Sequence, residues 1–149
     1  LDTDDFSLTM EQMAFSLHSW TMAMLGAGLF AEDARVLAFT SEGSHRAIRN
    51  YAAVSAAKAA MEAIIRSMAM ELAPRGIRAN AIQAGITPTA SMQRIPGSGD
   101  MEAFALSRNP FGRLTHPDDV ANVVCLLCTD EAAWINGAII PVDGGEQIC

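Results

Sequence analysis

The sequence predicts an α/β fold, a parallel sheet with crossover helices, and three observations carry that prediction. Segments with apolar residues at three- and four-residue steps alternate with short continuous apolar runs, in the order helix, strand, helix, strand, helix, strand. Glycine or proline marks the junctions. Half of the 149 residues are hydrophobic, enough for the core of one compact domain.

Residues 1–7, LDTDDFS, are polar and read as a loop. From Thr9, placed to cap it, to about Phe30, the recurrence of Met, Phe, Leu and Trp predicts a helix with a wide apolar face. RVLAF, 35–39, reads as a short strand, and TSEGS as the turn after it. A long helix rich in Ala, Met and Glu is expected from about Tyr51 to Leu72, stopped by APRG because Pro74 and Gly76 do not continue it. IRANAIQAG, 77–85, reads as a buried strand ending in glycine. Residues 86–100 hold Pro88, Pro96, Gly97 and Gly99 and read as a mobile excursion, with a short helix over 101–108. Pro117 opens a helix at PDDVANVVCLLCTD, where Asp118 and Asp119 meet the positive end of its dipole. GAIIPVDGG is the last strand and a glycine turn held by Asp143.

Three strands are about half of a doubly wound, Rossmann-type nucleotide-binding sheet, whose phosphate-binding glycine turn belongs near its start. No such turn is seen here, since GSG at 97–99 follows Pro96 in a loop. Residues 1–149 therefore lack the glycine turn and about half of the strands that a complete domain of this kind needs. A start at Leu1 rather than Met fits a fragment or a processed piece.

A net charge of −7 without a Lys/Arg cluster argues against nucleic acid or an anionic membrane surface as partner. No apolar stretch approaches the length of a membrane span, and no signal peptide is visible. Cys125, Cys128 and Cys149 are odd in number, and the first two lie in a helical apolar run with no second ligand pair. They read as reduced, partly buried packing residues suited to the cytoplasm, and no metal is expected. His18 reads as a helix-face or interface residue, His45 and His116 as loop residues, and the nine Met residues as core or interface filler.

Chemistry points to NYAAVSAAKAAMEA, residues 50–63. Seven helical residues span almost two turns, so Tyr51 and Lys58 project from nearly one face, about 10 Å apart along the axis. An ammonium near a phenol favours the phenolate and makes the tyrosine a better proton donor or acceptor near neutral pH. Ser41 and Gly85 end the two preceding strands, where a parallel sheet presents its ligands. The competing reading of this spacing is a tyrosine that starts a helix and a solvated lysine.

The wider pattern joins Ser41, Tyr51 and Lys58 to MAMELAPRGIRANAI, then AG, then the closing run from PFGRLTHPDDVANVV to VDGG. It resembles the C-terminal half of the short-chain dehydrogenase/reductase family over essentially the whole chain. Common members place the tyrosine four before the lysine, where this chain has Val54. The seven-residue spacing resembles the family's enoyl-acyl-carrier-protein reductases, as does HRAIRNYAAVSAAKAAMEA, while LDTDDF is similar to the loop after their fourth strand.

The resemblance implies hydride transfer from NADH or NADPH to the β carbon of an enoyl thioester carried on acyl carrier protein or coenzyme A. It implies that Tyr51 stabilises the enolate oxygen, that Lys58 holds the nicotinamide ribose, that Gly85, Ile86 and Thr87 pass the carboxamide, and that Thr89 reaches the pyrophosphate. Residues 90–108 fall on the family's substrate-binding segment, a lid. Ser41 either orients the carbonyl or caps a turn; many of these reductases carry tyrosine there, and Ile86 replaces their usual proline. A tetramer is implied, with the two apolar helices between subunits, as is a missing N-terminal half, on another chain or absent, without which this chain is inactive. The alternatives are a non-catalytic assembly fragment, and a carbonyl or ketoacyl reductase of the same family.

Overall fold

A computed structural model describes residues 2–149; of the loop expected at 1–7, Leu1 lies outside them. The remainder of that stretch is helix. The Asp5 N–H donates to Asp2 Oδ1 (2.9 Å) and the Asp2 N–H to Asp5 Oδ2 (3.1 Å), a reciprocal cap that starts α1, Thr3–Met10. Thr9 therefore caps nothing: inside α1, its hydroxyl donates to the Asp5 carbonyl at 2.7 Å. One π-helical turn, Glu11–Phe15, leads directly into α2, Ser16–Gly26, which stops short of Phe30. The wider turn brings Ala14 to zero exposure against the core.

The sheet contains β1 (Ala34–Ser41), β2 (Ile77–Ala84) and β3 (Ile139–Val142), all parallel in the order β1-β2-β3. Its register aligns Ser41 with Ala84 and Ala84 with Val142, so the three strands finish side by side. Between β1 and β2 runs α3, Ala52–Leu72, whose buried Ala53, Ala57, Met61, Ile65, Met68 and Leu72 recur every three or four residues as one stripe. With α1 and α2, α3 covers the face of the sheet presenting Val36, Ala38, Ala79 and Ala81. On the other face Ile82 packs against Leu127, Val120, Val123 and Val124 of α5, Pro117–Leu127. The result is a three-layer α/β/α arrangement with β2, buried at nearly every position, in the middle.

Helix α4, Ser98–Arg108, starts three residues before the expected 101 because Gly97 takes the left-handed conformation (φ +82°) at its N-cap. Pro117 does open α5, and the Asp119 carboxylate, bound to Arg113 and to the His116 N–H, has its pKa lowered to about 2. The cysteines depart from expectation. All three are free thiols, but Cys125 and Cys128 point outward on α5, since its apolar face is taken by the valines and Leu127; Cys149 is exposed as well.

Asn80, 1 % exposed in the central strand, fastens the segment leading into β3. Its Nδ2 donates to the Ile135 carbonyl (3.0 Å) and its Oδ1 accepts from the Ala138 N–H (2.9 Å). Replacement by Ala leaves two part-buried backbone groups without this partner and is expected to cost about 1–3 kcal/mol, read as a fall in Tm of several degrees.

Candidate active site

A cavity of about 480 Å³ opens where the three strands end, within the size range of small-molecule sites. Ser41 ends β1 and Ala84 ends β2, and both line it, as do Gly85, Ile86, Thr87 and Thr89 beyond β2 and Tyr51, Val54 and Lys58 from α3. Every residue proposed for catalysis or cofactor binding from the sequence is thus brought to one place.

Tyr51 does not lie within the helix. It is the N-cap residue, with φ −116° and ψ 7°, and Asn50 before it takes the left-handed conformation at φ +61°. Such a backbone is uncommon for a side-chain-bearing residue and is best tolerated by Asn. This turn of the chain leads into α3 and sets the phenol beside the cavity. Gly43 makes room for the ring: a Cβ there would stand 2.7 Å from Tyr51 Cε1. Seven positions on, Lys58 donates from Nζ to the Phe39 carbonyl at 2.6 Å. Burial lowers its pKa, with the Glu62 carboxylate opposing the shift. The Ser41 hydroxyl is buried and has no hydrogen-bond partner among the described residues.

The loop after β2 is held tightly. A Cβ on Gly85 would meet Thr115 Oγ1 at 2.5 Å and Glu146 Oε2 at 2.9 Å, so only glycine fits. Both backbone groups of Ile86 are engaged: its N–H donates to Glu146 Oε2 (3.2 Å), and its carbonyl accepts from the Thr115 N–H (3.2 Å). The Thr87 N–H, in contrast, donates to no group among the described residues. The Thr89 hydroxyl accepts from the Met92 N–H at 3.2 Å and keeps its proton free to donate.

Sequence reasoning passed over several residues at this site. Met13 enters the cavity from the π turn. Glu42 and Glu146 also line it, joined by Arg108 from α4: Arg108 grips both Glu42 oxygens (3.1 and 2.8 Å) and reaches Glu146 Oε1 at 3.2 Å. Their separations of 38 and 66 residues leave no local signal.

Residues 1–147 match the family described as enoyl-(acyl carrier protein) reductase. The chain belongs to that family. Among its relatives, the NADH enoyl-(acyl-carrier-protein) reductase FabI of Escherichia coli strain K12 is 35 % identical over 127 residues, which are 85 % of this chain and 48 % of that protein. Cis-4-hydroxycyclohexanecarboxylate dehydrogenase of Sinomonas cyclohexanicum is 34 % identical, over 83 % of this chain and 47 % of its own length. The crystal structure of the NADH enoyl-(acyl-carrier-protein) reductase of Aquifex aeolicus VF5 superposes with a TM-score of 0.94 at 28 % identity, covering all of this chain and 57 % of that one. The chain thus spans about half the length of the relatives it matches. The parallel sheet of this chain is the fold shared with the A. aeolicus structure.

Proposed function

We infer that the protein carrying this chain reduces the 2,3 double bond of an enoyl thioester, borne on acyl carrier protein or coenzyme A, with NADH or NADPH. The observation behind this reading is the convergence of Tyr51, Lys58 and the partnerless Ser41 hydroxyl on one cavity at the strand ends. The printed names of the E. coli and A. aeolicus relatives support it. The residues fit a nicotinamide riboside: Gly85 leaves no side chain in the way, Thr87 offers a free N–H for the carboxamide, and Lys58 has two further protons for the ribose hydroxyls.

Reduced nicotinamide, when bound, supplies the hydride for the β carbon. The Tyr51 hydroxyl donates to the thioester carbonyl and stabilises the oxyanion that develops there. Ser41 lines the same cavity and orients that carbonyl. Lys58 holds the ribose and favours negative charge nearby; partial desolvation of its ammonium lowers its pKa. Ile86, with its own amide and carbonyl already bound, anchors the loop while Thr87 makes the contact; Thr89 donates its free proton to the pyrophosphate. The phosphate-binding half is proposed to lie outside these residues, joined to them or on a companion chain, and this chain alone to be inactive. The working form is proposed to be a tetramer, supported by the exposed Trp20 and Met70 on the outer faces of α2 and α3. Three free thiols suit the reducing cytoplasm, and no helix among the described residues is long and apolar enough to cross a membrane.

A carbonyl reductase is the second reading, favoured by Ser41 and by the likeness to the Sinomonas dehydrogenase. The two are separated by offering crotonyl and acetoacetyl thioesters to the intact protein with NADH or NADPH. Loss of the reduced cofactor's absorbance with crotonyl substrate only is expected; consumption with acetoacetyl only selects the carbonyl reductase, and none with either leaves a non-catalytic module.

A further inference from the structure

We propose that Glu146, through Arg108, is a positioning residue that straps helix α4 to the loop Gly85–Thr87, so that the cover of the cavity and the cofactor wall move as one unit. The strap crosses four separate elements. Glu42 follows β1, Ile86 follows β2, Arg108 ends α4, and Glu146 lies beyond β3. Glu146 is 3 % exposed, and the Arg108 side chain 10 %. Arg108 is held further by its guanidinium lying 4.6 Å above the Phe104 ring, on whose centroid Arg46 also closes at 5.3 Å. A single carboxylate thus accepts Ile86 N–H on one oxygen and Arg108 on the other.

Such a group is costly to bury and unnecessary for stability, because well-packed apolar residues serve as well or better. What it provides here is connection. Ile86 is the residue that fixes where the free Thr87 N–H points, and α4 closes the cavity through Met101. The charged groups facing Glu146 are Arg108 on α4, Glu42 beyond β1, itself paired with Arg46, and Asp143 beyond β3. Burial pushes the Glu146 carboxyl up, with the Ile86 amide and Arg108 opposing. Glu42 is shifted down: burial acts against this, but hydrogen bonds from Arg108 and Arg46 prevail. The bonds of the strap itself, from the Ile86 amide and from Arg108, favour the ionised carboxylate.

That the strapped loop faces nicotinamide rests on the function proposed above; the coupling of loop to helix does not. Hydrogen exchange of the intact protein tests the coupling directly. In Glu146→Gln the amide oxygen can accept from Ile86 or from Arg108 but its NH₂ can accept from neither. Protection is expected to fall about tenfold both at Ile86 and across 98–108, the loss of one charge-assisted bond. Glu42→Gln, at a residue that hydrogen-bonds Arg108 but neither Ile86 nor Glu146, should loosen Ile86 through Arg108. Loosening of only one of the two segments, or of neither, in these variants overturns the strap. With coupling present, the KM for reduced nicotinamide should rise about tenfold in Glu146→Gln while kcat changes little, since a misplaced contact weakens binding of the group it holds. Coupled loosening with that KM unchanged leaves the strap standing and removes the cofactor reading of the loop.

Discussion

Tyr51→Phe is expected to lower kcat for enoyl-thioester reduction by about 10²–10³, the usual effect of removing one oxyanion donor, while leaving the affinity for reduced nicotinamide almost unchanged. The substitution removes only the hydroxyl. The ring keeps its place, because it is seated over Gly43 and follows the left-handed Asn50, and neither contact involves the phenol oxygen. A fall in Tm of more than about a degree would show that the oxygen has a structural task instead. Steady-state rates of the intact protein with crotonyl thioester, beside a thermal melt of the same preparation, measure both. If the variant turns over like the parent, the phenol is not the donor. Ser41 and Lys58 would then be the remaining candidates in the cavity.

Legibility in the sequence followed the range of the interactions. The strands and α3 were readable because burial of a stripe or of a central strand writes itself into adjacent positions: Ala53, Ala57, Met61 and Ile65, or the run from Ile77 to Ala84. The first helix was misjudged at both ends. Its start depends on two aspartates capping each other rather than on apolar period, and its π turn shifts the face presented to the core. The outward turn of Cys125 and Cys128 was hidden in a run apolar on all sides. Ser41, Tyr51, Lys58 and Gly85 could be proposed because strand ends and helix starts are themselves local signals, and all four line one cavity. Glu42, Arg108 and Glu146 could not, since what unites them is a fold that brings residues from three distant segments together. Nor could the need for Gly43, which arises from the path of Tyr51.

Gly85→Ala should damage the site by a different route from any substitution in the reacting groups. No unusual φ is involved at Gly85, so the expected penalty is one of space. The new methyl would press on Thr115 Oγ1, on Glu146 Oε2 and on Asp143 Cα, at 2.5, 2.9 and 3.0 Å. A buried threonine can rotate, but the Asp143 backbone is fixed by hydrogen bonds from Asn109 Nδ2 to its carbonyl (2.8 Å) and from the Gly145 N–H to its carboxylate (2.9 Å). Overpacking of this kind costs about 1–3 kcal/mol, and relief by shifting the loop would displace Ile86 and Thr87 with it. Chemical denaturation should therefore show the loss of stability together with weakened binding of reduced nicotinamide. Gly28→Ala is the contrast: its φ of +67° strains an added side chain, but nothing lies within 4 Å, so stability should fall by about 1–2 kcal/mol with binding untouched. Adding Thr115→Ala to Gly85→Ala removes the nearest obstacle and should recover part of the loss, a coupling of about 0.5–3 kcal/mol in a double-mutant cycle. Strict additivity of the two changes would mean that the loop yields elsewhere, and that Gly85 is not where the strand ends and the cofactor wall are locked together.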